Sequence, residues 1–135
     1  MANTLYDLGR KAFLDADIDM LVDDIKVALV KAAYTPAPTT DQFYDPAITA
    51  NVQGTPQSLT TPSTTAGVFD ADNATFSAVA GGATINYLVL YKDTGTPTTS
   101  PLIAIIDTAT GLPLSTNGGD ITIQWDDGAN KIFKL

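Results

Sequence analysis

Apolar positions between Thr84 and Asp107 gather into two runs of strand length, Tyr87 to Tyr91 and Leu102 to Ile106, separated by the breaker-rich segment Thr94 to Pro101. Two β-branched and aromatic runs on either side of such a turn predict a β-hairpin. Strict alternation puts Tyr87, Val89 and Tyr91 on one face and Leu88 and Leu90 on the other; in the second run it sets Leu102, Ala104 and Ile106 against Ile103 and Ile105. Both faces are apolar, whereas a sheet with one wet side alternates apolar with polar. Each side of the ribbon therefore needs a cover: another sheet, the N-terminal segment or a second subunit.

Elsewhere the pattern changes. Leu5, Leu8 and Ala12 recur at helical spacing behind Thr4, a capping residue, with Asp7 near the positive end of the helix dipole; a short helix over about residues 3–14 is expected. Ile18, Leu21, Val22, Ile25 and Leu29 fit a helix, while Ile25, Val27 and Leu29 also fit a strand. The acidic stretch Asp15 to Asp24 favours a turn, so the first long strand is expected over Ile25 to Ala33. Residues 34–66 form a Thr/Pro-rich excursion, broken by a short strand over Ile48 to Val52 that Pro would confine to a sheet edge. Tyr34, Phe43 and Tyr44 stand among its turn formers. Aromatics so placed either anchor a partner or fold back over the end of the domain.

From Gly67 onward the alternation is steady. Phe76, Ala78 and Ala80 predict one strand face, ending at a Gly81-Gly82 hairpin turn. Ile121, Ile123 and Trp125 alternate with Thr122, Gln124 and Asp126, and Asp126-Asp127-Gly128 turns into a last strand over Lys131 to Leu135. About eight strands at this spacing predict a single mainly β domain over 1–135: an antiparallel β-sandwich or jelly-roll-like barrel with a short N-terminal helix.

Composition sharpens this picture. All 15 acidic residues are Asp, against seven Lys and Arg, for a net charge of −8. Asp prefers turns and caps to helix interiors, which supports strands joined by turns. The acidic balance and scattered basic residues argue against nucleic acid. No apolar run reaches the roughly 20 residues of a membrane span, and no basic region precedes an apolar core as in a secretory signal. With neither Cys nor His, thiolate chemistry and the commonest acid–base group are missing. A glycosidase-like Asp pair stays possible on paper, although nothing marks one. Asp15-Ala16-Asp17-Ile18-Asp19 begins like a calcium loop, yet Met20 stands where that loop needs Gly and Lys26 where it needs the bidentate acid. No catalytic, cofactor-binding or metal-ligating residue is assigned, and no enzymatic activity is expected.

Several segments resemble a family. Ala2-Asn3-Thr4-Leu5-Tyr6-Asp7 with Gly9-Arg10 and Phe13-Leu14 is similar to the start of small virion proteins of tailed bacteriophages. So are Ile25 to Val30, Tyr91-Lys92-Asp93-Thr94-Gly95, Ser100-Pro101-Leu102-Ile103-Ala104, Asn117-Gly118-Gly119-Asp120, and Trp125-Asp126 with Asn130 to Lys134. The matches keep their order across the chain and skip mainly residues 35–66. Such proteins resemble head decoration, or cement, proteins, and some small members are tail-associated. The resemblance implies a structural protein on the virion, made in the bacterial cytoplasm, which binds the major capsid protein and associates with itself, most simply as a trimer at local threefold positions. It implies no catalytic residues. A partner interface at Tyr34, Phe43 and Tyr44 is the candidate site, and a tail or receptor-binding module is the alternative.

Overall fold

The structure, a computed structural model, describes residues 3–135; Met1 and Ala2, the latter opening the first resembling segment, lie outside the described residues. The chain is mainly β. Its strands are β1 (Thr4–Leu5), β2 (Ile25–Lys31), β3 (Val52–Ser58), β4 (Val68–Phe69), β5 (Ala74–Phe76), β6 (Thr84–Lys92), β7 (Leu102–Ile106), β8 (Leu114–Ser115), β9 (Ile121–Ile123) and β10 (Phe133–Lys134), with the helix α1 (Asp7–Leu14) and a four-residue helical turn, α2 (Tyr44–Ala47). The main antiparallel sheet runs β1-β7-β6-β2-β3, with β8 beside the start of β6. Two short sheets, β4–β10 and β5–β9, form the second layer. The expected hairpin is the centre: β6 pairs with β7 on one side and with β2 on the other.

Both faces of this sheet are filled from within the chain. On one face Ile25, Val27, Leu29, Leu88 and Leu90 pack with Phe69, Phe76, Ile123 and Trp125 of the second layer and with Ala12 of α1. On the other, Ala28, Val30, Val89 and Tyr91 are covered by Tyr6, Tyr34, Tyr44 and Ile48. The ribbon thus has covers on both sides without a second subunit. A fully apolar strand is the sequence consequence of being central in a three-layered stack.

One residue upsets the expected alternation in β7. Leu90 pairs with Ala104 but Tyr91 pairs with Leu102, so Ile103 is an extra residue, a β-bulge. Leu102 and Ile105 therefore share the tyrosine-covered face, while Ile103, Ala104 and Ile106 share the opposite one. The expected grouping of Leu102 with Ala104 and Ile106 is corrected by this single insertion.

Other boundaries also shift. Thr4 does not cap α1: it pairs with Ile105 in β1, and the extended backbone continues to Tyr6, whose N–H donates to Ile103 O at 3.0 Å. Edge pairing outcompetes the capping box, so the helix begins at Asp7. The first long strand stops at Lys31 rather than Ala33. The strand expected over Ile48 to Val52 is a 3₁₀ turn, Thr49–Asn51, in which Thr49 Oγ1 donates to Asp45; the strand starts at Val52. That strand contains Pro56 and lies at the sheet edge, as proline requires.

The Phe76-Ala78-Ala80 face ends at Phe76. Ala78 N–H donates to Asp120 Oδ1 at 2.8 Å, and Val79 exchanges hydrogen bonds with Gly118 and Gly119, which turns Val79 rather than its alanine neighbours inward. Gly81-Gly82 consequently closes no β5–β6 hairpin, because β5 pairs with β9. The C-terminal strand is short and pairs with β4 instead of folding back on β9. In contrast, the alternation Ile121, Ile123, Trp125 stands as expected, with Thr122, Gln124 and Asp126 exposed.

Candidate interaction surfaces

The excursion after β2 crosses one face of the main sheet, and its aromatics decide how. Tyr34 and Tyr44 are buried, and Phe43 is half-buried. Tyr44 stacks on Tyr91, ring centroids 4.1 Å apart and planes 13° from parallel, and Tyr34 meets Tyr87 edge to face at 5.9 Å. The backbone is pinned as well: Tyr44 N–H donates to Ser100 O and Leu102 N–H to Gln42 O, both at 2.9 Å, with Phe43 bridging Pro101. Of the three candidate interface residues, two are therefore core of this chain, and only Phe43 has side chain left for a partner. The structure brings all three to one region, the cover over the hairpin.

Beneath that cover lies a polar chain. Tyr34 donates to Asp41 Oδ2 at 2.6 Å, so its oxygen receives the proton of Tyr6, 3.1 Å away; Ala37 N–H also donates to Asp41. Burial first, and the hydrogen bond to Tyr34 second, raises the pKa of Tyr6; burial first and the bond to Asp41 second raise that of Tyr34, against a lowering from the bond it receives from Tyr6. Burial raises Tyr44 and Tyr91 too. Raised phenols hold their protons and are poor nucleophiles or bases; their role here is to satisfy one another in the interior.

At the hairpin tip the charged residues pair across elements. Lys26 Nζ donates to Asp93 Oδ2 at 2.6 Å, and Asp93 Oδ1 accepts Gly95 N–H at 2.9 Å. Lys92 reaches Asp23 at 3.0 Å and the carbonyl of Asp17 at 2.6 Å. Buried Ser100 closes the tip, accepting Thr94 N–H and donating to Thr96 O. The resembling segments Ile25 to Val30, Tyr91 to Gly95 and Ser100 to Ala104 thus meet at one place, where they fix the sheet's central ladder. In the acidic stretch, Asp19 accepts Leu21 N–H and Asp23 accepts Asp19 N–H, both as turn-forming contacts. Among the described residues, no three acidic side chains gather so as to hold a metal ion.

The apolar side chains that face outward lie elsewhere. Leu135, after β10, is 62% exposed; Leu14, the last residue of α1, is 88% exposed, and Val22 at 80% and Leu21 at 53% follow before β2. Ile18 and Met20 of the same segment are buried and anchor it. Exposed Asp15, Asp17 and Asp19 alternate with these side chains. The turn expected from the acidic stretch Asp15 to Asp24 is present, and it is this turn that leaves Leu21 and Val22, part of an apolar period in the sequence, at the surface.

Two adjoining hollows open beside β1, of about 500 and 400 Å³, sharing Asn3, Ile106, Asp126, Lys131 and Ile132. The first is floored by Ile106, Trp125 and Ile132 and rimmed by amide, hydroxyl and carboxylate groups. Trp125 donates its indole N–H to Asp72 O at 3.0 Å and is buried. Among the described residues, no helix is long and apolar enough to cross a membrane. No protein-family model and no curated protein matches the chain.

Proposed function

We propose that this chain is a non-enzymatic structural protein of a tailed-phage particle, a head decoration protein that binds the major capsid protein and stiffens the lattice. The observation that carries the reading is the exposed trio Leu14, Leu21 and Val22 on a domain whose sheet faces are both filled from within. Large apolar side chains this exposed and this close in sequence mark an interaction surface. Asp15, Asp17 and Asp19 between them select an apolar capsid site with a basic rim. The ordered resemblance described above supports the same reading, and three of its segments, Ile25 to Val30, Tyr91 to Gly95 and Ser100 to Ala104, meet in the main sheet.

A decoration protein gains from many weak contacts made at once, because symmetric copies bind with avidity. In the proposed trimer at threefold positions, contacts between copies fall on exposed surface, the central ribbon being spent inside each subunit. The test is made on particles. Those lacking the protein should lose DNA at lower temperature than complete ones, and L14D/V22D protein should fold normally yet leave particles undecorated. Equal heat resistance with and without the protein would sink the reading; antibody labelling at the tail would replace it with the tail-associated alternative.

A further inference from the structure

The backbone register at the two sides of the smaller hollow carries a separate inference. Tyr6 N–H donates to Ile103 O at 3.0 Å, toward β7. Alternation along a strand then turns the N–H and C=O of Leu5 away from β7, off the edge of the main sheet. Across the hollow, Leu135 N–H donates to Gly67 O at 3.0 Å, toward β4. The N–H and C=O of Lys134 accordingly point away from β4, off the edge of the second layer. Leu5 and Lys134 both line the hollow. Two strand edges thus face one gap, and Thr4 Oγ1 makes a long, 3.4 Å approach to the Leu5 carbonyl there.

Outward-facing edge groups are templates for pairing with an added strand. The rim says what kind. Arg10, Lys131 and Lys134 border this hollow with Asp126 as the one acid, which gathers three of the seven basic residues of a chain of net charge −8. Lys131 and Arg10 have exposed acidic neighbours in Asp127 and Asp7, at 3.6 and 2.9 Å, which a more strongly paired carboxylate can replace.

We infer that the gap between β1 and β10 is an acceptor slot for an extended, acidic strand of a partner polypeptide, which would join the two sheets by backbone pairing. The slot is distinct from the Leu14–Val22 surface and does not depend on where in a particle the protein resides.

The test uses the full chain and a blocked peptide alternating Val with Asp, compared with the same peptide bearing Lys for Asp. In the free protein the Leu5 and Lys134 amides should exchange with solvent at least tenfold faster than those of Tyr6 and Leu135. On adding the acidic peptide, the Leu5 and Lys134 amide resonances should shift and their exchange slow by a similar factor. R10E/K134E protein, changed only at exposed side chains, should lose the acidic peptide and gain the basic one. Protected Leu5 and Lys134 amides in the free protein, shifts located elsewhere, or equal binding of both peptides would each overturn the inference.

Discussion

A β-carbon built on Gly9 would lie 2.4 Å from the carbonyl oxygen of Leu102. The helix and the bulged strand are in backbone contact there, and neither partner is a flexible side chain that could move aside. Gly9→Ala should therefore destabilise the fold by about 1–3 kcal/mol through overpacking, even though alanine is the better helix former by up to about 1 kcal/mol. Urea titration should show a lower midpoint with an unchanged slope. An unaltered or raised midpoint would mean that α1 lifts off β7 without cost.

The Tyr6–Tyr34–Asp41 chain predicts an asymmetric result. Tyr34→Phe removes the oxygen to which the buried Tyr6 hydroxyl donates and one of the donors to Asp41, which Ala37 N–H still holds, at a cost of about 1–3 kcal/mol. Tyr6→Phe removes only the terminal donor and should cost less. Thermal unfolding of both variants checks the order; equal losses would show that packing, not hydrogen bonding, sets the cost.

Acid should act through the hairpin tip. Lys26 first, and Gly95 N–H second, hold the Asp93 carboxyl below its ordinary pKa; burial opposes a lowered pKa at Asp23, where Asp19 N–H and Lys92 prevail. A folded pKa below the unfolded value gives stability that is complete above about pH 4 and is lost as the pH falls through the folded value. Asp93→Asn should cost about 1 kcal/mol at neutral pH, as befits a partly exposed pair, and the gap to the unsubstituted protein should close in acid. A gap that is constant with pH would contradict this.

Alkali should act through the tyrosines. Burial raises Tyr6, Tyr34 and Tyr91 in the folded state, so their contribution is complete below the unfolded phenol value of about 10 and is lost as the pH climbs toward the folded values. Ionisation of these three phenols should coincide with loss of β-sheet circular dichroism. Their ionisation with the sheet intact would refute their burial.

How much of this could be read from the chain follows from the range of each interaction. The hairpin, β2 and the alternation of Ile121, Ile123 and Trp125 were legible because side-chain period is local; the strand expected over Ile48 to Val52 was not, because proline marks an edge without fixing where pairing starts. The candidate site was legible only as a set of residues. Tyr34, Phe43 and Tyr44 stood out as aromatics among turn formers, but whether they face out or in depends on Tyr87 and Tyr91, more than forty positions away in sequence.

Side-chain period and composition specify a mainly β domain with a doubly apolar central ribbon, acid carried on turns, and no histidine or cysteine chemistry. Which faces meet is settled by pairing between segments far apart in the chain. The Ile103 bulge exchanged the faces of Leu102 and Ile103, β1 took Thr4 from the helix, and Asp120 drew Ala78 out of its strand. Each of these outcomes turns on a backbone hydrogen bond or register between distant segments, and alternation along one segment carries no information about its partner.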